Sequence, residues 1–294
     1  MLKHNFSMNR LSRSRRVQIL SMLCEGSSMR SVSRVCDVSI NTVSKLLIDA
    51  GRACAAFHDE HVRNVRARRV QVDEIWSFTY AKQKNVEKAK AAPEGAGDTW
   101  TWTAIDADSK LIISWLVGPR DAGSAFTFVS DLAGRLANRT QLTSDGLSLY
   151  VPAIEDGFGA NVDYSQLVKI YGSPAESAAR RYSPATCLGC VPKPITGEPD
   201  PKHISTSCVE RSNLTMRMSM RRYTRLTNGF PKKLQNHVLM VALYTVWYNW
   251  ARQHKTLRTS PAQAAGLTDR LWNMSDIVAL VEAAEQPEPM AQAN

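Results

Sequence analysis

Apolar residues recur at helical spacing near the start of the chain: Val17, Leu20 and Leu23, then Val32 and Val35, then Val43, Leu46 and Leu47. With Gly26 and Gly51 as helix ends, this pattern predicts three short helices between residues 11 and 51. Ser39 is placed to cap the third, and the three together read as a helix-turn-helix. Periodicity weakens through RACAAFHDEHVRNVRARR, predicted as a linker helix, and strand-like alternation begins at VQVDEIWSFTY. The stretch KQKNVEKAKAAPEGAGD is predicted as an exposed loop. TWTWTAIDA and KLIISWLVG, joined by a DADSK turn, add two strands and complete a three-stranded meander. GSAFTFVSDLAGRLANR reads as a helix, QLTSDG as a short strand, and VDYSQLVKIYG as either a helix or a strand. Residues 172–202 are rich in Pro and Gly and have no period, which predicts an insertion or a long loop. A helix around residue 210 follows, broken at Asn228, Gly229 and Pro231. KKLQNHVLMVALYTVWYNWARQHK then forms a long apolar helix and DIVALVEAAE a last short one. Tyr244, Trp247, Tyr248 and Trp250 on the long helix read as core packing rather than a base-stacking platform.

The 294 residues, 44% hydrophobic and 22% charged, suffice for a full core and a smaller domain. The net charge of +10 is unevenly placed: residues 1–70 carry +8 and 202–260 carry +10, while 71–201 and 261–294 carry −4 each. Two concentrated basic blocks suggest a polyanionic partner, because each phosphate neutralised releases counterions; a solvated surface is the bland alternative. MLKHNFSMNR contains no apolar run of signal length, and VLMVALYTVWYNW is too short to span a bilayer, so a cytoplasmic protein without a membrane partner is expected. Six cysteines without a secretion signal do not suggest a disulfide framework, and Cys24 and Cys36 fall at core positions. Cys187, Cys190, His203 and Cys208 have the spacing of a structural zinc site. Against zinc stand the proline-rich VPKPITGEPDPK between them and the location of Cys208 beside Glu210.

Glu210 is the only carboxylate between Asp200 and Asp269, and in the run CVERSNLTMRMSMRRYTR that holds it every other charged residue is Arg. On a helix, Glu210, Asn213, Arg217 and Arg221 share one face, a combination of acid, amide and cations that suits a metal and a phosphate. Asp73, inside a strand-like run, and Asp145, at the end of another, have settings that could bring them to it. Three carboxylates brought together repel by roughly 3–4 kcal/mol per pair at about 5 Å, a penalty that divalent cations remove. Each acid also has a plain structural alternative. Asp145 precedes Gly146 as turn residues do, Glu210 could pair with Arg211 or Arg217, and alternation sends Asp73 and Glu74 to opposite faces without saying which is the ligand.

Three strands, a helix, a strand bearing a second acid and a helix bearing a third is the chain order of an RNase H-like core. With VDEIWSF, SDG and ERSNLTMR around its acids and YNWARQHKTLRTSPAQAAG near its end, the chain resembles bacterial insertion-sequence transposases of the DDE class, most closely the insertion-sequence-one type. The likeness runs from residue 11 to about 268. It implies an α/β protein: an N-terminal all-α helix-turn-helix and basic linker (1–69), an RNase H-like catalytic domain with a mixed β-sheet (70–268, with 172–202 as insertion or loop), and a C-terminal helix and tail (269–294). It selects Asp73 over Glu74 and implies that Asp73, Asp145 and Glu210 ligate two Mg²⁺ or Mn²⁺ ions for DNA cleavage and strand transfer. Double-stranded DNA would be the partner, met by a homo-oligomer. Asn41, Thr42 and Lys45 would face base edges; Arg66, Arg68 and Arg69 would contact phosphates; Asn213, Arg217 and Arg221 would meet DNA near the acids. Members of that type can carry a zinc-binding element ahead of the helix-turn-helix. No such element is expected ahead of residue 11 here, so end recognition is expected to rest on the helix-turn-helix and the Arg linker. The competing functions are a DNA-binding regulator with an inactive core and an RNase H-like nuclease that cuts without joining.

Overall fold

The computed structural model describes residues 10–172, 187–224 and 227–285. Their contacts divide the chain into two compact units, one within Met1–His61, Thr79–Ala96 and Met216–Asn294, the other within Val62–Phe78 and Gly97–Thr215.

The first unit opens with the expected three helices, α1 (Arg13–Cys24), α2 (Met29–Val35) and α3 (Ile40–His61). Ser12, Ser28 and Ser39 accept hydrogen bonds from the backbone three residues on, satisfying N–H groups that the first turn leaves open. Leu20, Leu23, Val32, Val43, Leu46 and Leu47 are buried as their spacing requires, but Val35 is 61% exposed. Cys36, four residues after Val32, takes the core position instead. Gly51 does not end the third helix. It lies inside α3 where Leu239 comes so close that an added Cβ would sit 2.5 Å from the Leu239 Cβ and carbonyl oxygen. Gly51→Ala is therefore expected to reverse its usual sign. In an open helix the change gains about 1 kcal/mol, whereas here overpacking should cost about 1–3 kcal/mol. A urea midpoint that stays put or rises would show that the two backbones are not in contact.

Leu239 belongs to α8 (Leu234–Val246), which continues into a π turn at Trp247–Ala251. Tyr244, Trp247, Tyr248 and Trp250 are all buried, as expected of core aromatics. Phe57, Trp250 and Trp272 form a ring cluster with centroids 5.0–6.1 Å apart. The final helix of this unit closes with a capping box of Asn273 and Asp276, and Arg16 pairs with Glu285 at 2.9 Å. Among the described residues no helix is long and apolar enough to cross a membrane.

The second unit is built on a six-stranded mixed sheet. In chain order it comprises β1 (Arg69–Thr79), then, past the short α4 (Gln83–Val86) in the segment expected to be loop, β2 (Gly97–Asp106), β3 (Ile112–Gly118), α5 (Ala122–Arg135), β4 (Thr140–Asp145), α6 (Tyr150–Phe158), β5 (Val162–Tyr171) and β6 (Cys187–Thr196). The strands lie in the order β3-β2-β1-β4-β5-β6. β2 and β3 are antiparallel, β4 joins β1 in parallel, β5 joins β4 in parallel, and β6 returns antiparallel on β5. The fold is thus α/β with the RNase H-like order of elements. The segment left open between helix and strand is β5. Part of the stretch expected to be an irregular insertion is β6; its residues 173–186 lie outside the described residues. Trp102, Phe128 and Tyr150 fill the core with centroids 5.6–5.9 Å apart. The chain ends with α7 (Ser207–Ser219), followed after α8 by α9 (Pro261–Ala264) and α10 (Met274–Ala284).

Candidate active site

Register brings the first two acids together. β1 and β4 pair as Arg69 with Gln141, Val70 with Leu142 and Gln71 with Thr143, a constant offset of 72 residues. Continued two residues, the same offset sets Asp73 opposite Asp145. The carboxylate of Asp145 is fixed by the Leu147 backbone N–H, which donates to Oδ1 at 3.0 Å, so its turn role and its place at the strand end coexist.

Gln71 and Asp73 share a face of β1, two residues apart, and both hold α7. The Gln71 carboxamide oxygen accepts from the Cys208 and Val209 backbone N–H groups at 2.8 and 3.0 Å, satisfying two donors of the first turn. One and a half turns on, Asn213 donates to Asp73 Oδ2 at 2.7 Å, while its own oxygen accepts from Thr103 at 3.2 Å. Asn213 is buried with its amide engaged at both ends. Of the two roles weighed for it, orienting the acid is the one its contacts fill. Glu210 lies between these anchors. Its Oε1 accepts from Thr206 and from Lys169 of β5, each at 2.5 Å, so its ionic partner is Lys169 rather than Arg211 or Arg217.

Glu74 joins the cluster. Ligand atoms of Asp73, Glu74 and Asp145 all lie within 4.8 Å of one another, the one such group of three among the described residues. Alternation would send Asp73 and Glu74 to opposite faces, yet their carboxylates meet, and the β1–β4 ladder does not extend past Gln71 and Thr143. The Glu74 side chain is only 1% exposed, with Oε2 held by Arg120 at 3.2 and 3.3 Å. Arg120 in turn stacks on Trp100, 4.7 Å from the ring centre. Glu74 Oε1 and the nearby Tyr150 hydroxyl are buried without completing a hydrogen bond of ordinary geometry.

The crowding shows in the protonation equilibria. Burial, then the charges of Asp145 and Glu210, push Asp73 up to about 6 despite help from the Glu74 backbone and Asn213. Burial likewise pushes Glu74 up to about 7, with Asp145 and Asp73 adding to it and Tyr150 and Arg120 opposing. Burial pulls Lys169 down, but the Glu210 carboxylate more than offsets this and leaves it raised. An all-oxygen donor set with mutual repulsion between its carboxylates is what a hard divalent cation would satisfy. The cluster fits divalent-metal binding.

The other expected residues are placed less centrally. Asn41 and Lys45 are exposed and Thr42 half-exposed in the first turns of α3, with Lys45 paired to Asp49 at 3.0 Å. Arg66 and Arg68 are exposed, Arg68 lying 3.6 Å from Asp108, and Arg69 is engaged by the same Asp108 and, at 2.8 Å, by His203 Nδ1. Arg217 is half-buried in the last turn of α7. Arg221 leaves that helix altogether: Met220 is extended and buried, and Arg221–Tyr223 form a separate 3₁₀ turn. The four-residue helix face from Glu210 to Arg221 therefore ends at Arg217. The cysteine-histidine set does not converge among the described residues. Cys208 accepts from Lys110 at 3.1 Å and His203 faces Arg69, while Cys187 and Cys190 stand exposed on β6.

No family model matches the chain, and no curated protein does. Solved structures with some likeness include a Mos1 transposase paired-end complex with left transposon end (14% identity, TM-score 0.24), aligned over 56% of this chain and 61% of that one. A Mos1 mariner paired end complex with Mn aligns over the same shares at 14% identity and TM-score 0.23. A piggyBac transposase synaptic complex with hairpin DNA covers 98% of this chain and 77% of its own at 12% identity and TM-score 0.38. The chain spans about three-fifths of the Mos1 chains it matches. At these identities and TM-scores the likenesses assign no function to this chain.

Proposed function

We propose that this chain is a DNA transposase of the DDE class, which binds the ends of a mobile element and carries out metal-dependent strand cleavage and strand transfer as an oligomer on DNA. The observation that carries this is the meeting of the Asp73 and Asp145 carboxylates, with Glu74, within 4.8 Å of one another at the ends of the β1–β4 ladder, with Glu210 close enough to raise Asp73 further. Asp73, Asp145 and Glu210 would hold two Mg²⁺ or Mn²⁺ ions, and Glu74 would add negative charge behind them. Bound there, such ions supply charge neutralisation and activation for in-line displacement at phosphorus.

The remaining roles belong to the chain itself. Asn213 keeps Asp73 in one rotamer, and Gln71 fixes the start of α7, so Glu210 is presented from a helix whose first turn is tied to the same strand as Asp73. Thr206 and Lys169 hold the Glu210 carboxylate until a stronger cation competes for it. Arg217 would meet a phosphate. The N-terminal helices would select the element end through Asn41, Thr42 and Lys45, and the exposed Arg66 and Arg68, with Arg69, would add sequence-independent affinity.

Two assays test the proposal. Incubated with Mn²⁺ and a duplex ending in a 3′-hydroxyl taken from DNA flanking its gene, the chain should join that end to a supercoiled plasmid. Cleavage without any joined product would favour the nuclease. For DNA recognition, Lys45→Ala or Asn41→Ala should reduce discrimination between end and random DNA, while Arg68→Ala should weaken both about equally and flatten the salt dependence. Titrations at two salt concentrations check this, and equal affinity of the wild type for end and random DNA would remove the recognition role.

A further inference from the structure

Cys187 and Cys190 are three residues apart, and in a regular strand such residues face opposite sides of the sheet. β6 is not regular there. Lys169 pairs with Cys190 and Ile170 with Gly189, but Tyr171 pairs with Cys187, which leaves Leu188 as an extra residue in a bulge. The bulge resets the alternation, so Cys187 and Cys190 occupy the same face two ladder steps apart, opposite Tyr171 and Lys169. Two ladder steps of about 3.4 Å each put their Cα atoms about 7 Å apart, at the outer edge of the separation of about 4.4–6.8 Å that a disulfide spans. The Cys187 thiol reaches forward along the strand and donates to the Gly189 carbonyl at 3.3 Å. Partial desolvation and, next, the neighbouring Cys187 thiol raise Cys190 above the ordinary thiol range, which shows the two groups sensing one another. Both residues are exposed, whereas Cys24, Cys36 and Cys54 are buried.

We propose that Cys187 and Cys190 are a reversible dithiol–disulfide couple, open to small-molecule disulfides and seated beside the Lys169–Glu210 pair. One thiolate attacks the oxidant's disulfide, forming a mixed disulfide and releasing one small thiol. The other thiolate then attacks the protein sulfur of that bond, forming the Cys187–Cys190 bond and releasing the second small thiol. The two protein thiols lose two electrons and two protons, and the oxidant becomes two thiols. Closure fixes β6 at the ladder position facing Lys169, the residue that holds Glu210, so the couple is placed to alter that contact.

The test reads thiols rather than DNA chemistry, so it stands or falls independently of the proposed function. The full chain is equilibrated in glutathione buffers from reducing to oxidising, alkylated under denaturing conditions, digested and weighed. The expected result is a single peptide that carries both Cys187 and Cys190 joined by an internal disulfide, reversed by dithiothreitol, while Cys24, Cys36, Cys54 and Cys208 remain alkylated throughout. Cys187→Ser should stop at a stable mixed disulfide on Cys190. Alkylation of both thiols across the whole series would overturn the proposal. So would glutathione persisting on each cysteine of the wild type without ring closure, or bound zinc in the purified chain that protects both.

Discussion

Asp73→Asn is expected to make the protein more stable in divalent-free buffer at pH 8 and to abolish the stabilisation that Mg²⁺ or Mn²⁺ gives the wild type. In the folded chain Asp73 ionises at about 6, against 3.8 ordinarily. As pH rises from about 4 to 6 the unfolded chain releases this proton first, so Asp73 costs stability progressively through that window and in full above it. Asn removes the charge and keeps an oxygen to accept from Asn213, and the expected gain is about 1–3 kcal/mol at pH 8, shrinking toward pH 5. Glu74 shares the site and titrates with it, so the observed transition belongs to the cluster rather than to either residue. Urea unfolding of both proteins at the two pH values, with EDTA and with Mn²⁺, checks each element. A variant less stable than wild type at both pH values in EDTA would mean the acids do not repel, and the metal-site interpretation would lose its physical basis.

Glu210→Gln is expected to reduce DNA cleavage on the order of a hundredfold or more while folding and DNA binding survive. Gln keeps the volume and the bond from Thr206 but loses the anion, and a surface ion pair with Lys169 would by itself be worth at most about 1 kcal/mol. Glu74→Gln discriminates between the two candidates for the third acid. Glu74 is paired with Arg120 and stands behind the ligands, so its loss should lower cleavage only on the order of tenfold, through the field it contributes. Cleavage assays with a gel-shift control on the same preparations decide the ranking. If Glu74→Gln is the more damaging change, the third ligand is Glu74 and Glu210 is Lys169's structural partner.

Much of this arrangement was legible in the chain because it follows from period and local chemistry. Helical spacing located α1, α5 and α8, alternation located the first three strands, and the rarity of acids around Glu210 singled that residue out. What the chain withheld depends on register. The spacing of 72 residues between Asp73 and Asp145 can be read by counting, but that it equals the β1–β4 offset is visible only once the strands are paired. Lys169 escaped notice because VDYSQLVKIYG satisfies helix and strand about equally, and only a strand places Lys169 where it can reach Glu210. Glu74 is passed over because the resemblance selects Asp73 from a neighbouring pair that alternation alone does not decide, and only the folded chain shows both carboxylates in one cluster. Gly51 misled for a related reason: a glycine admits another backbone as readily as it ends a helix, and Leu239 lies far along the sequence.

The most direct test of the metal-dependent centre is cleavage of a plasmid carrying the DNA that flanks the gene, by purified full-length protein in Mg²⁺, Mn²⁺, Ca²⁺ or EDTA. Strand breaks in Mg²⁺ and Mn²⁺ are expected, with little or none in Ca²⁺, whose larger radius and loose geometry misplace the reacting oxygens, and none with Asp145→Asn in any ion. Undiminished cleavage in EDTA, or by Asp145→Asn, would contradict the assignment.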